Sequence, residues 1–193
     1  KIILASKSGV RKKILESNKI DCEVIVSNVD EDEVKSSLLS EGADPLSISK
    51  NLAEIKSIKV SNKFPDRVVL GADSVISLNN ELINKPKSRE EALKILKKLN
   101  NSKHFLISSV CISKNGAMVW NYTDTSELKM KNLTESHLLN YLAKIKTETL
   151  CAYGVYQVEA EGLELFEYIK GDLNSIMGLP INEIINYIKQ IKK

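Results

Sequence analysis

The chain has 193 residues, enough for one domain or for two small lobes around a shared cleft. A hydrophobic content of 42% with 27% charged residues suits a soluble globular protein and excludes disorder as the main state. A net charge of +3 is too balanced for a dedicated nucleic-acid binder, and no apolar run approaches the roughly 18 residues of a membrane-spanning helix.

Ile2 to Leu4 reads as a buried strand, its apolar run too short for a signal peptide. Ser8 caps an expected helix from Gly9 to Ser17 with Ile14 and Leu15 inward. Cys22 to Val26 alternates like a strand. Asp30 followed by Glu33 resembles a capping box that opens a short helix. A longer helix is expected from Ser47 to Val60, with Ile48, Leu52, Ile55 and the stem of Lys59 on one face. Asp66 to Ala72 reads as a buried strand that ends at Asp73. Ser74 to Leu78 continues extended into a tight turn at Asn79-Asn80. Ser88 and Glu91 form the capping box of a helix that ends near Leu99. His104 to Ser113 and Ala117 to Lys129 read as a hairpin turning at Asn115-Gly116. Thr134 caps a helix to Lys144. Gly154 to Ala160 and Leu163 to Tyr168 read as another pair of strands. Pro180 takes the first position of a final amphipathic helix. Hairpins within a mixed α/β pattern exclude an all-parallel sheet, and nothing divides residues 1–193 into more than one domain.

Only three of the 28 basic residues are arginines: Arg11, Arg67 and Arg89. An arginine in so lysine-rich a chain is worth checking, because only arginine offers a planar bidentate fork. Cys22, Cys111 and Cys151 are far apart and form no zinc or disulfide pattern. They read as small buried hydrophobes in a reducing cytoplasm.

No P-loop, dinucleotide-binding glycine motif, H-E-x-x-H or G-x-S-x-G occurs. What remains is a set of polar residues at the ends of buried elements. Ser6, Ser8 and Arg11 lie where a strand hands over to a helix N-terminus, a place that favours an anion. Asp73 follows an apolar run and two small residues, where a carboxylate binds a divalent metal or orients water. Glu31 and Asp30 add carboxylates; Lys56 and Lys85 add cations. Together they suit cleavage of a phosphate anhydride. Singly, each has a plainer reading: Ser8 as a helix cap, Asp73 as a turn residue, Lys56 and Lys85 as solvated lysines, Glu31 as part of an acidic helix start. His104 reads as a hydrogen-bonded structural residue.

The joint order of these pieces resembles the Maf family of nucleoside triphosphate pyrophosphatases over about Ile2 to Ile188. Leu4-Ala5-Ser6-Lys7-Ser8-Gly9-Val10-Arg11 is similar to the family's opening L-A-S-x-S-P-R-R. Val29-Asp30-Glu31, Leu52-Ala53-Glu54-Ile55-Lys56, Gly71-Ala72-Asp73-Ser74-Val75, Asn84-Lys85-Pro86, Ser102-Lys103-His104 and Gly171-Asp172 through Gly178-Leu179-Pro180 follow in the family's order.

The resemblance implies a curved mixed β-sheet flanked by helices, in two lobes around a deep cleft, like the Maf and ITPase folds, and a homodimer. The implied reaction is hydrolysis of a nucleoside triphosphate to monophosphate and pyrophosphate with Mg²⁺ or Mn²⁺. It clears modified nucleotides in the cytoplasm and has a link to septum formation. No nucleic-acid or membrane partner is implied. Asp73 is then the catalytic carboxylate, as base or metal ligand. Glu31 assists metal or water, and Ser8, Arg11, Lys56 and Lys85 hold the triphosphate. In that role Arg11 and Lys85 serve phosphate rather than folding. A nucleotide-binding regulator of septum formation without turnover is the alternative.

Two departures stand out. Gly9 and Val10 replace the family's Pro and first Arg. In its Y-x-I-Q-G segment, Glu159 takes the place of the Gln that marks dTTP/UTP enzymes, unless a shift of two brings Gln157 there. A Glu resembles the subgroup acting on 7-methyl-GTP, since a carboxylate accepts from guanine's N1–H and N2–H₂.

Overall fold

The computed structural model describes residues 1–192. It forms seven strands: β1 (Ile2–Leu4), β2 (Cys22–Val24), β3 (Val69–Leu78), β4 (Glu81–Ile83), β5 (Lys103–Lys114), β6 (Ala117–Met130) and β7 (Phe166–Lys170). Around them lie eight helices: α1 (Gly9–Ser17), α2 (Glu31–Ser40), α3 (Pro45–Ser61), α4 (Arg89–Leu99), α5 (Glu135–Ala143), α6 (Thr147–Tyr153), α7 (Leu173–Met177) and α8 (Ile181–Ile191). One mixed sheet runs β2-β1-β3-β5-β6-β7, with β4 on the edge of β3. β1 is parallel to β2 and β3; every other pairing is antiparallel. This is the expected mixed sheet flanked by helices. No helix of the described residues is long and apolar enough to cross a membrane.

Local chemistry explains most of the boundaries. Ser8, Asp30, Asp44, Ser88, Thr134 and Asp172 each cap a helix by accepting from the backbone N–H three residues on. Asn79-Asn80 and Asn115-Gly116 all have positive φ, as two-residue hairpin turns require.

The core divides into two main clusters. One packs α4, α5 and α6 on β5 and β6 through Leu96, Leu99, Leu128, Met130, Leu138 and Tyr141. The other packs α1 and α8 on β3 and β5 through Ile14, Leu15, Leu70, Ile112 and Ile184. These are the two lobes, and the cleft opens between them.

Four expectations need correction. Asp73 does not end its strand: β3 continues to Leu78, and Asp73 pairs with Ser109 in an unbroken antiparallel ladder with β5. The small residues before it serve packing. A Cβ on Gly71 would run into Ala53 O and come within 2.8 Å of Ser57 N, so this glycine lets α3 lie on the sheet.

The inner face of α3 is also different. Lys59 is exposed, whereas Lys56 is buried with Ser49, Ser57 and Ser61. These serines face a polar seam on the sheet, with Ser49 Oγ–Ser109 Oγ at 2.9 Å and Ser57 Oγ–Ser113 Oγ at 2.7 Å. A hydropathy stripe misses such a face, because its polar groups are satisfied inside.

Residues 154–160 form a loop and turn rather than a strand, preceded by α6 and followed by a 3-10 turn (Glu161–Leu165). Gly162 packs so closely on the backbone of Gln157 that Gly162 N and Ala160 N both bond to Gln157 O at 3.1 Å, which closes a turn in place of a ladder. Finally, Cys22 and Cys111 are buried but Cys151 is only half-buried.

Candidate active site

β1 pairs with β3 only as far as Leu70, and β4 joins β3 only from Ile76. Residues 71–75 of β3 therefore have a strand on one side only. Beyond the carboxyl end of β1 the chain turns into α1, and a cleft of about 660 Å³ opens there. A crevice at the carboxyl end of a strand whose neighbours diverge is where open α/β sheets bind ligands. All seven expected residues, Ser8, Arg11, Glu31, Lys56, Asp73, Lys85 and Glu159, line it.

Lys56 is the centre of the polar end. Its ammonium, buried under the sheet edge, contacts Glu31 Oε1 at 2.7 Å, Asp73 Oδ1 at 2.9 Å and Ala72 O at 3.3 Å. Three acceptors use its three N–H bonds. Lys56 thus holds two carboxylates together and has no donor left over for phosphate. It also anchors α2, which buries none of its own residues; the second tie nearby is Lys59 Nζ to Asn28 O at 2.7 Å. Partial burial alone would raise the Glu31 pKa. Lys56, helped by Lys85 and Lys35, overrides that and holds the carboxyl below its usual range. Asp73 is 4% exposed, and its Oδ2 is buried without a hydrogen-bond partner among the described residues. An orphaned carboxylate oxygen beside a cleft is a functional signal.

Arg11 projects from the first turn of α1 and is committed to protein. Nε donates to Gly178 O at 2.9 Å, Nη1 to Ser6 Oγ at 3.0 Å and Nη2 to Ser74 Oγ at 3.1 Å. Loss of water pulls its pKa down, opposed by Asp73 and Glu31; a guanidinium keeps its charge regardless. Arg11 thus has a part in the fold that the phosphate reading did not include: it ties the end of β1 to β3 and to the α7–α8 corner. Ser8 Oγ is used in capping, accepting from Arg11 N at 3.2 Å.

Lys85 is different. It makes no hydrogen bond or ion pair among the described residues and lines the cleft from the loop after β4. Although the residue is exposed as a whole, desolvation lowers its pKa below the ordinary lysine value, with Arg11 adding to the effect and Glu31 and Asp73 opposing it. Lys7 and Lys35 also line the cleft. Both escape a motif-based reading, since a lone exposed lysine carries no pattern. Ser6 and Ser74 show their part only when the fold brings them to Arg11.

The other end is apolar, lined by Val75, Ile83, Ile95, Leu106, Val158 and Met177. Gln157 and Glu159 sit at its wall, with Gln157 Nε2 3.4 Å from Glu159 Oε1. Both line the cleft, so both expected base readers are present. Their loop hangs from two buried phenols. Tyr141 donates to Val155 O at 2.8 Å, and the Tyr156 hydroxyl meets His104 Nε2 at 2.9 Å. Burial pushes His104 down to about 4, so it is neutral near pH 7. Fully buried behind the cleft wall, it is the structural residue expected.

Divalent cation ligation is limited by Lys56, which occupies the space between the carboxylates. No group of three His, Cys, Asp or Glu side chains fit to hold a metal occurs among the described residues. Mg²⁺ asks for less, since it keeps several waters and takes one or two carboxylates plus substrate phosphates. Asp73, whose buried Oδ2 has no partner among the described residues, and Glu31, joined to it through Lys56, meet that requirement.

The fold is thus a mixed α/β sheet with one cleft, where Lys56 and Lys85 stand with Asp73 and Glu31 and where apolar side chains complete the wall. The chain belongs to the Maf-like protein family, which it matches over residues 1–191. It is 60% identical over 191 residues to the nucleoside triphosphate pyrophosphatase of Pelagibacter ubique (strain HTCC1062), covering 99% of this chain and 98% of that one. It is 38% identical to the protein of the same name from Ruegeria pomeroyi, covering 97% and 94%. It is 34% identical to the 7-methyl-GTP pyrophosphatase of Rhizobium etli, covering 99% and 96%.

Proposed function

We propose that this chain hydrolyses a nucleoside triphosphate to the monophosphate and pyrophosphate, clearing modified nucleotides from the cytoplasmic pool, and that its preferred base is of the guanine type, such as 7-methylguanine. The observation that carries the reaction is the buried Asp73 beside the cleft, held at Oδ1 by Lys56 and with Oδ2 left without a hydrogen-bond partner among the described residues. The triphosphate lies toward Lys85 and the base toward Gln157 and Glu159. Water attacks the α-phosphorus, a new P–O bond forms, and its proton passes to Asp73 Oδ2. The bond between the α-phosphorus and the bridging oxygen breaks, and the electron pair leaves with pyrophosphate. Lys85, which has no hydrogen-bond or ion-pair partner among the described residues, neutralises charge on the leaving phosphates. A divalent cation, which Asp73 and Glu31 would hold, would supply charge neutralisation of the same kind. Chromatography of the products is expected to give monophosphate and pyrophosphate; a diphosphate with orthophosphate would refute the reading.

A paired Gln157–Glu159 wall favours guanine. With one Gln157 N–H turned to Glu159, the wall offers mainly acceptors, which suit the two adjacent donors of a guanine edge. Glu159→Gln is expected to move preference toward UTP or dTTP. An unpaired edge group costs about 1–3 kcal/mol, so the ratio of kcat/KM values shifts by about tenfold or more. An unchanged ranking in a screen of triphosphates would make Glu159 a surface residue.

A further inference from the structure

The edge contacts proposed for Gln157 and Glu159 meet N1–H and N2–H₂, which guanine and 7-methylguanine share. Methylation at N7 changes something else: it places a delocalised positive charge on the ring system. A charge of that kind is met on the face of the ring, by an aromatic side chain.

Two aromatic residues line the cleft among the described residues, Tyr153 and Tyr156. Tyr156 is committed to the protein. It is buried, its hydroxyl is bonded to His104, and its ring meets Phe166 edge to face with centroids 4.8 Å apart. Tyr153 is the opposite case. It is 42% exposed, and neither its hydroxyl nor its ring has a hydrogen-bond, aromatic or cation partner among the described residues. A lone exposed ring on an open surface needs no explanation. This one stands in a cleft with both edge readers.

The local chain holds it there. Tyr153 is the last residue of α6, three residues after Leu150, which is fully buried in the core. Residues three apart are neighbours on a helix, so the burial of Leu150 anchors the turn that carries Tyr153. At the other end of α6, Arg89 ties Thr147 to α4. Gly154 leaves the helix at φ 99°, a conformation that favours glycine, and turns the chain straight into the loop that carries Gln157 and Glu159. Tyr141 holds that loop at Val155 O.

We propose that Tyr153 is a specificity-determining residue whose ring face stacks on the base and selects a cationic, N7-alkylated guanine over guanine itself. The inference rests on the guanine-type reading given above. Stacking on a π face tolerates any base. The positive charge of the alkylated ring adds its attraction to the ring quadrupole, and the Glu159 carboxylate at the wall adds a counter-charge. The tyrosine hydroxyl has no part in this.

Dissociation constants of 7-methyl-GMP and GMP, measured by titration calorimetry, read the selection without a catalytic step. The wild type is expected to bind 7-methyl-GMP more tightly. Tyr153→Leu keeps apolar bulk without a π face, and is expected to reduce the ratio of the two constants by about tenfold, the range of a partly desolvated cation–π contact. Tyr153→Phe keeps the face and is expected to retain the ratio. A merely structural role would weaken both nucleotides alike and leave the ratio where it was. With triphosphates, Tyr153→Leu is expected to raise KM for 7-methyl-GTP far more than it changes kcat, since the ring meets the base and not the reacting phosphate. An unchanged ratio in Tyr153→Leu, or a Tyr153→Phe variant that loses it, would overturn the proposal and leave the guanine-type reading standing. A wild type that binds GMP as tightly as 7-methyl-GMP would overturn the charge selection in the same way. A wild type that binds UMP or dTMP more tightly than either guanine nucleotide would refute the guanine-type reading, and the proposal with it.

Discussion

Asp73→Asn is expected to lower kcat by roughly 10²–10⁴-fold, the range for losing a general base. Asparagine keeps the shape of the side chain and an oxygen for Lys56, so the ladder between β3 and β5 and the packing of α3 stay intact. What disappears is the negative charge at Oδ2, the atom that has no partner among the described residues. Nucleotide binding should survive or tighten, because a like charge near the phosphates is gone. Single-turnover measurements with a binding assay separate the two quantities. A divalent titration then separates the two roles: partial recovery at high Mg²⁺ or Mn²⁺ identifies a metal ligand, and no recovery identifies the base. A folded variant with near wild-type kcat would move the chemistry away from Asp73.

How far these residues were legible in sequence depends on what kind of signal each carries. Caps and turns are local, so the starts of α1, α2, α4 and α5 and the Asn115-Gly116 hairpin could be read from four-residue patterns. The end of α3's apolar face could not. Its inner surface carries three serines, and the hydroxyls of Ser49 and Ser57 are satisfied by Ser109, Ser113 and Asp73 O on a sheet that lies far off in sequence. The loop at 154–160 misled for the opposite reason. Its Tyr156 and Val158, alternating with Gln157 and Glu159, look like a strand, but Gly162 folds back on Gln157 and these residues line a cleft wall.

The site shows the same division. Motif order was enough to gather Ser8, Arg11, Glu31, Lys56, Asp73, Lys85 and Glu159, which all line one cleft. Their individual work was not readable, because a cation near carboxylates and a cation near phosphate look alike in sequence. Geometry divides them: Lys56 is saturated by three acceptors, whereas Lys85 has none among the described residues. The three arginines repeat the lesson. Arg89 donates to Leu142 O, Ile145 O and Thr147, and Arg67 to Lys1 O and Glu23, so each of these forks also joins protein segments.

Arg11→Ala should therefore reduce stability and turnover together. The side chain joins three parts of the fold through Gly178 O, Ser6 Oγ and Ser74 Oγ. Hydrogen bonds from a charged donor contribute about 1.5–3 kcal/mol each, but the three share one side chain and do not add fully. A loss of about 2–4 kcal/mol is expected, enough to lower Tm clearly in a thermal scan. Turnover falls as well, because Ser74 lies next to Asp73 in the open stretch of β3, and a shift of an ångström at reacting groups costs about 10²-fold. Arg11→Lys should recover little of either, since a point charge on a flexible stem reaches one of the three acceptors at a time. Thermal and kinetic data on both variants test the tie directly. If Arg11→Ala keeps its Tm while losing activity, the guanidinium acts on phosphate and the three protein contacts are incidental. If Arg11→Lys is fully active and stable, the fork is not needed and a single positive charge at the end of β1 is sufficient.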